Sequence, residues 1–291
     1  MNSPGLKFYV IGDPIDHSLS PLMHNFFLEI FEINAAYCAR QIELNELDDT
    51  IKSFIDEGVS GINVTTPHKK NVLKFIDEFT PEAKTIGSVN TIKFENDKLI
   101  GHNTDAIGFQ ASLQNLNCSV KQKNAVIFGA GGAAQAVVVA LIREKYRRII
   151  LINRNFEKAK KLAEYFSWSS SKIEIMPIPL NSEEIHGLIS SAQLLVNTTT
   201  VGMGDLIYES ILPGESYLHK NLLVYDLIYR PYKTRLIQQA ESQNVPWVNG
   251  LDMLLLQGIE SLKFWIEKDL ELDASNFEEI KEKLRRELCQ E

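Results

Sequence analysis

The chain is poor in cysteine, and the few thiols that it has are scattered. Cys38, Cys118 and Cys289 are the only cysteines among 291 residues, and no two of them form a C-x-x-C pair. An odd number of widely spaced cysteines predicts neither a disulfide framework nor a zinc site, and it is typical of proteins in a reducing compartment. We therefore expect a cytoplasmic protein that holds no metal.

Long apolar runs and an excess of positive charge are missing as well. The N-terminus has no apolar stretch of signal-peptide length, and the most apolar helical segment, residues 251–266, is interrupted by polar and charged side chains. The net charge is −8, whereas a broad nucleic-acid surface needs clustered Lys and Arg. We expect neither a membrane nor a nucleic acid as partner, although a small basic pocket for one phosphorylated ligand is compatible with this charge.

Short apolar runs alternate with amphipathic segments along most of the chain, which is typical of repeated β-α units with parallel sheets. In the first part, strands are predicted over 7–13, 35–44 and 60–65. Ser20 is expected to cap a helix with Pro21 at its first position, which would leave the Ser18 hydroxyl available.

A second helix is predicted to end at Gly58, which suits a left-handed C-terminal residue. Four apolar residues at helical spacing should form its buried face: Leu47, Ile51, Phe54 and Ile55. Farther along, the apolar runs on either side of residues 95–97 predict a β-hairpin.

The alternation restarts at about residue 106. Strands are predicted at 124–129, 148–154, 172–179, 193–199 and 222–229, with helices over 132–145 and 156–167 and a terminal helix from about Ser275. Near-continuous apolar strands are typical of a doubly wound sheet that is covered on both faces. The pattern therefore predicts two α/β domains followed by a helical tail.

A glycine-rich turn opens the second of these domains. Gly129, Gly131 and Ala134 fit G-x-G-x-x-A directly after an apolar strand and before a helix. In this motif the glycines permit the tight turn and the close approach of a pyrophosphate to the helix N-terminus. Because the strand and the helix are both readable, we interpret the turn as a dinucleotide site.

The end of the next strand indicates which dinucleotide it binds. NAD sites usually have an acidic residue here, whereas this chain has Asn153 and Arg154, with Lys158 one turn into the following helix. The two cations could be ordinary surface residues. However, cations are unfavourable at a helix N-terminus unless an anion compensates, and Arg matches a phosphate geometrically. NADP is therefore the predicted cofactor.

Four polar clusters follow apolar segments in the first domain: 17–21, 63–69, 89–91 and 101–105. Open α/β sheets bind ligands at such strand ends, although any one cluster could be a simple turn. A lysine and an aspartate in these clusters, Lys69 and Asp105, could exchange a proton with an alcohol.

Together these segments carry a family resemblance. The motifs S-x-S-P, N-V-T-x-P-x-K, V-N-T, N-T-D, G-A-G-G-A, N-R, Y-D-x-x-Y and a late Gly-x-x-Met…Gln occur in order between about residues 7 and 270. In this respect the chain resembles the shikimate dehydrogenase family. The resemblance implies NADPH-dependent reduction of 3-dehydroshikimate to shikimate, a step of aromatic amino-acid biosynthesis. It also implies a substrate-binding domain of residues 1–105, completed by C-terminal helices 251–291, and a Rossmann domain of residues 106–250.

The resemblance also implies roles for individual residues. Lys69 and Asp105 would be catalytic. The residues expected to bind substrate are Ser18, Ser20, Asn63, Thr65, Lys69, Asn90, Asp105, Tyr229 and Gln257. The residues expected to bind cofactor are Gly129, Ala130, Gly131, Gly132, Ala133, Asn153, Arg154, Lys158, Leu227 and Gly250.

Two alternatives remain open. One is a quinate/shikimate dehydrogenase with broader substrate and NAD use, and the other is a catalytically silent NADP-binding regulatory module. A monomer and a homodimer are both compatible with the sequence.

Overall fold

The chain folds into two compact units in a computed structural model that describes residues 5–116, 123–167 and 173–289. The first unit runs to Gly108 and includes Leu254–Arg286, and the second comprises Phe109–Met253 with the chain end from Glu287. Cys118 and the start of the predicted strand 172–179 lie outside the described residues.

The first part of the chain alternates strands and helices, as predicted. Its elements are β1 (Leu6–Gly12), α1 (Ser20–Ile30), β2 (Ala35–Gln41), α2 (Leu47–Asp56), β3 (Gly61–Val64), β4 (Glu78–Phe79), α3 (Pro81–Ile86), β5 (Thr91–Glu95), β6 (Lys98–His102) and α4 (Asp105–Asn115). The strands form one sheet in the order β2-β1-β3-β5-β6-β4. The hairpin β5–β6 and the pair β3–β5 are antiparallel, and the other pairs are parallel.

The second part of the chain contains the remaining strands and helices. Its elements are β7 (Asn124–Phe128), α5 (Gly132–Arg143), β8 (Arg148–Asn153), α6 (Phe156–Ser167), β9 (Glu174–Pro179), α7 (Ile185–Ser190), β10 (Leu194–Asn197), β11 (Leu223–Asp226), α8 (Arg235–Ser242), β12 (Trp247–Val248), α9 (Leu251–Ile266) and α10 (Ala274–Cys289). Short 3₁₀ helices lie at Leu44–Glu46, Asn71–Phe75, Gly204–Leu206 and Glu215–Tyr217.

The sheet of the second unit has the order β12-β11-β10-β7-β8-β9, and all its neighbouring strands are parallel. This is the strand order of a Rossmann fold. Strands β8 and β9 lie on one side of the first strand, β7, and β10, β11 and β12 lie on its other side. The central strands β7 and β10 are almost entirely buried, as strands covered on both faces must be. The prediction of a doubly wound α/β domain is confirmed.

Two local predictions are wrong. Ser20 is the first residue of α1 and does not cap it; instead the Ser18 hydroxyl accepts a hydrogen bond from the Ser20 amide at 3.3 Å. In α2, Leu47, Ile51 and Phe54 are buried, but Ile55 is 45% exposed. Ile55 directly follows Phe54, so a further turn of about 100° takes its side chain away from the sheet.

The predictions of a left-handed glycine after α2 and of a hairpin turn at residues 95–97 are confirmed. Gly58 follows α2 with a φ of 66°, and the hairpin residues Asn96 and Asp97 have φ values of 49° and 60°. Both hairpin residues are left-handed, which is the geometry that joins antiparallel strands through a two-residue turn. Within the described ranges, no helix is long and apolar enough to cross a membrane.

Candidate active site

Lys69 and Asp105 form an ion pair in the first unit. The Lys69 ammonium donates a hydrogen bond to Asp105 Oδ2, and the side chains are only 19% and 8% exposed. Asp105 opens α4, and its backbone amide donates to Asn103 Oδ1 at 3.0 Å. A carboxylate at a helix N-terminus is favoured by the helix dipole, so this position suits Asp105 as the partner of the lysine.

The segment that carries Lys69 is anchored by its neighbour. The His68 ring is fully buried, and its Nε2 lies 2.7 Å from the Ile42 carbonyl oxygen. The Lys69 carbonyl accepts a hydrogen bond from the Val89 amide at 3.3 Å. These contacts hold the residues after β3 against the segment after β2 and the segment before β5. The backbone that carries the Lys69 ammonium is therefore fixed on both sides.

Asn90 holds the other oxygen of that carboxylate. Its Nδ2 donates to Asp105 Oδ1 and to Thr104 Oγ1, both at 2.9 Å. Its Oδ1 accepts from the Thr104 backbone amide at 2.9 Å. Because a backbone N–H can only donate, this contact fixes which end of the Asn90 amide faces Asp105.

Gln257, on α9, joins the same cluster. Its Oε1 lies 3.2 Å from Thr104 Oγ1 and 3.4 Å from Asn90 Nδ2, and its Nε2 donates to the Leu254 carbonyl at 2.9 Å. The structure therefore brings together four of the predicted residues: Lys69, Asp105, Asn90 and Gln257. Together they present an ammonium, a carboxylate and two amides, which can bind several hydroxyls of a small polyol and exchange a proton with one of them.

Asn63 lies next to this group, and both ends of its side-chain amide contact other protein groups. Its Oδ1 accepts from the Tyr37 hydroxyl at 2.7 Å, and its Nδ2 has Ser261, Thr91 and Asn90 oxygens at 3.0–3.3 Å. These contacts tie Asn63 to the site through Asn90, Thr91 and Ser261, and its own contact with a substrate stays a prediction.

Four hydroxyl groups of this cluster are not among the residues predicted from the sequence: Tyr37, Thr91, Thr104 and Ser261. Thr91 and Thr104 stand inside the V-N-T and N-T-D motifs, so their proximity to the site could have been inferred. Ser261 lies four residues after Gln257 and therefore on the same helical face, which was a usable signal. Nothing in the sequence pairs Tyr37 with Asn63.

Four further residues are predicted to bind the substrate: Ser18, Ser20, Thr65 and Tyr229. The Ser18 hydroxyl contacts the Ser20 amide, Ser20 is buried at the start of α1, and Thr65 is half-buried, with its amide bonded to the Ile11 carbonyl. Tyr229 is a half-buried residue of the second unit. Their convergence on one carboxylate stays a prediction.

The glycine turn of the second unit leaves room for a ligand. Gly129 has a φ of 120°, and a Cβ there would overlap the Thr198 hydroxyl, so only glycine fits. A Cβ built on Gly131, by contrast, meets nothing within 4 Å. The open space lies at the N-terminus of α5, where a phosphate is favoured by the helix dipole and by free amides.

A pocket of about 180 Å³ adjoins this turn. It is lined by Ala130, Gly131, Asn153, Arg154, Asn155 and Lys158. Two of the lining side chains are cationic and none is acidic, so the pocket suits a phosphate ester. Asn155 caps α6, because its Oδ1 accepts from the Lys158 amide at 3.2 Å. These residues fit the adenosine end of NADP. The lining contains no carboxylate of the kind that binds the ribose 2′-hydroxyl of NAD.

Leu227 and Gly250 also lie together in the second unit. A Cβ on Gly250 would overlap the Leu227 carbonyl oxygen, and the Gly250 amide donates to the Ile228 carbonyl at 3.1 Å. The buried Asp226 carboxylate fixes this turn by accepting from the Ile228 amide at 3.1 Å and from the Thr234 hydroxyl at 2.7 Å. Burial raises the pKa of Asp226 to about 6, against the opposing effect of these hydrogen bonds.

Comparison with known proteins places the chain in a family. Residues 10–92 match the model described as the shikimate dehydrogenase substrate binding domain, and residues 111–204 match shikimate / quinate 5-dehydrogenase. A shikimate dehydrogenase (NADP(+)) of Alkaliphilus oremlandii is 38% identical over 91% of this chain and 92% of its own length. The chain belongs to the shikimate dehydrogenase family.

Solved structures of family members agree with this assignment over almost their whole length. The enzyme of Thermus thermophilus in complex with NADP(H) and shikimate is 34% identical, with a TM-score of 0.82 over 96% of this chain and 99% of that one. The Listeria monocytogenes enzyme in complex with shikimate and NAD is 31% identical, with a TM-score of 0.85 over 96% of each chain.

The described part of the chain contains no group of three or more His, Cys, Asp and Glu side chains that could hold a metal ion.

Proposed function

We propose that this family member is an NADP-dependent shikimate dehydrogenase that reversibly reduces 3-dehydroshikimate to shikimate, a step of aromatic amino-acid biosynthesis. The observation that carries the proposal is the shielded Lys69–Asp105 ion pair, surrounded by the amides of Asn90 and Gln257. A silent NADP-binding module would have no use for a proton donor at this position.

The two charged residues divide the proton transfer between them. When the carbonyl is reduced, its oxygen needs a proton, and Lys69 Nζ is the donor in this scheme. Asp105 orients the ammonium and stabilises its charge, so that the proton returns to Nζ in the reverse direction. NADPH, when bound, supplies the hydride for this exchange.

The ring and the carboxylate of the substrate would be held by different residues. Asn90, Gln257 and Thr65 would bind ring hydroxyls, with Asn63 supporting them from behind. Ser18, Ser20 and Tyr229 would bind the carboxylate. Within the first unit the Ser20 hydroxyl makes no hydrogen bond to other described residues, so it is available for a ligand.

The cofactor would be held by the second unit. The backbone from Gly129 to Ala133 would bind the pyrophosphate, and Asn153, Arg154 and Lys158 would bind the adenosine 2′-phosphate. Leu227 and Gly250 would lie along the nicotinamide. The acid-free pocket around Arg154 favours NADP over NAD, because an added phosphate meets only cations and amides there.

The free thiols of Cys38 and Cys289, both exposed, fit a reducing environment, and we place the protein in the cytoplasm on that basis. Its oligomeric state, monomer or homodimer, is open to sedimentation analysis.

One steady-state experiment tests the function. The unmodified protein is assayed with shikimate and with quinate, each with NADP and with NAD, by following nicotinamide absorbance. We expect rapid turnover with shikimate and NADP and little turnover with quinate or NAD. Comparable turnover of quinate with NAD would instead support the broader quinate/shikimate dehydrogenase, and binding of both ligands without turnover would support a silent module.

A further inference from the structure

Helix α9 contacts the segment around β5 through three hydrogen-bonding side chains on one face. Gln257, Ser261 and Trp265 are spaced four residues apart, so they lie above one another along the helix. Gln257 contacts Asn90 and Thr104, Ser261 contacts Thr91, and the Trp265 Nε1 donates to the Ile92 carbonyl at 2.9 Å. Successive turns of the helix therefore match successive residues of the strand segment.

Ser261 is the central contact of this series. Its hydroxyl is fully buried and lies 3.0 Å from Asn63 Nδ2, 2.9 Å from Thr91 Oγ1 and 3.1 Å from Thr104 Oγ1. It also donates to the Gln257 carbonyl within the helix at 3.1 Å. A single hydroxyl thus ties the backbone of Gln257 to the cluster that Gln257 reaches with its side chain.

The helix has no freedom to shift without breaking these contacts. A Cβ on Gly61 would overlap the Trp265 indole, and one on Gly108 would lie 2.7 Å from Gln257 Cβ. On another side, a Cβ on Gly258 would overlap the Met23 side chain. Close packing at these three glycines confines α9, and the hydrogen bonds then select one position along its axis.

We infer that Ser261 is a positioning residue, which with Trp265 fixes the register of α9 on β5 and thereby places the Gln257 amide for a ring hydroxyl of the substrate. This inference rests on the proposed function, because it assigns Gln257 to the substrate. Ser261 itself touches no ligand in this scheme. Its effect is exerted through Gln257 and should appear in substrate affinity more than in the rate of proton transfer.

The first test is kinetic. Ser261→Ala removes a hydrogen-bonding group worth about 1 kcal/mol net, so we expect the KM for shikimate to rise about fivefold. The kcat and the KM for NADP should stay within about twofold, because neither Lys69 nor the cofactor pocket contacts Ser261. Ser261→Cys replaces the hydroxyl by a somewhat larger thiol that bonds weakly, so it should resemble the Ala variant. A Cys variant with the unmodified KM would refute a role for the hydrogen bonds.

The decisive test is a double-mutant cycle. If Ser261 acts through Gln257, then Ser261→Ala should raise the KM little or not at all in a Gln257→Ala background. An equal effect in both backgrounds would overturn the inference, as would an unchanged KM in the single variant. Trp265→Phe, which keeps an aromatic ring but loses the indole N–H, should behave like Ser261→Ala. Ser112→Ala, which removes a buried hydroxyl bonded to Tyr225, serves as the control.

A binding measurement separates this inference from the proposed function. The same variants are titrated with shikimate by calorimetry, which does not require turnover. If the unmodified protein binds shikimate without turnover, the enzyme assignment is wrong. The double-mutant cycle of Ser261 and Gln257 can then still be evaluated from the dissociation constants for shikimate. If the unmodified protein does not bind shikimate, both proposals are wrong.

Discussion

Replacing Asp105 by Asn should disable proton transfer while leaving the shape of the site intact. The orientation of Asn90 is fixed by the Thr104 amide, so its Nδ2 requires an oxygen at position 105. In Asp105→Asn, the new side-chain amide would satisfy Asn90 with its oxygen and turn its NH₂ group towards Lys69. The ammonium would then face a donor where it now faces a carboxylate.

The size of the effect follows from the bond that is lost. A hydrogen bond between charged groups contributes about 1.5–3 kcal/mol, and 1.36 kcal/mol corresponds to a tenfold change in rate. The kcat for shikimate oxidation should therefore fall by roughly 10- to 100-fold. The KM for NADP should stay within about twofold, since Asp105 is not part of the cofactor pocket.

The control is an ion pair of the same chemistry on the surface of the same unit. Lys74 Nζ lies 2.6 Å from Asp48 Oδ1, and the two side chains are 58% and 55% exposed. Solvent screening makes such pairs weak, so Asp48→Asn should leave the kcat unchanged. A kcat for Asp105→Asn within about threefold of the unmodified protein would refute the assignment of Asp105.

Two further predictions concern the cofactor and the acid stability. Arg154→Ala should raise the KM for NADP about tenfold or more and leave the KM for NAD almost unchanged, because only NADP brings a 2′-phosphate to the basic pocket. Steady-state assays that show equal effects on both KM values would contradict this prediction. Burial of His24, opposed by the nearby Asn63 side chain, lowers its pKa from 6.5 to about 3. The unfolded chain therefore binds the extra proton first, and stability is lost as the pH falls from about 6.5 towards 3, by about 1.4 kcal/mol per pH unit. The free energy of unfolding in urea should fall between pH 6.5 and pH 5 by about 2 kcal/mol less in His24→Leu than in the unmodified protein. An equal fall in both proteins would contradict the assignment of this acid sensitivity to His24.

The sequence was sufficient to predict the alternating α/β architecture because apolar periodicity reports which faces are buried. It also located the two left-handed hairpin residues and Gly58, where backbone geometry restricts the residue type. The two-residue strand β4 and the six-residue helix α3 were not predicted, since elements so short have almost no periodicity of their own.

The site was predictable only in part, for a related reason. Motifs supply residues that lie close in sequence, such as Asn90 and Thr91, but the partners of these residues come from distant positions. Ser261 reaches Asn63 across 198 residues, and Tyr37 reaches it across 26. The assignment of the helix cap to Ser20 failed because capping depends on backbone dihedrals, and these place the N-cap at Leu19, with no side chain capping the helix.

Lys69→Ala tests the central claim most directly, measured as the kcat for shikimate oxidation together with the calorimetric affinity for shikimate. Loss of the proton-transferring group should lower the kcat by about a thousandfold, while shikimate still binds through the amides and hydroxyls of the site. Lys74→Ala, which removes an exposed lysine of the same unit, should turn over normally. If Lys69→Ala keeps a kcat close to that of the unmodified protein, Lys69 is not the proton donor and the mechanism is wrong.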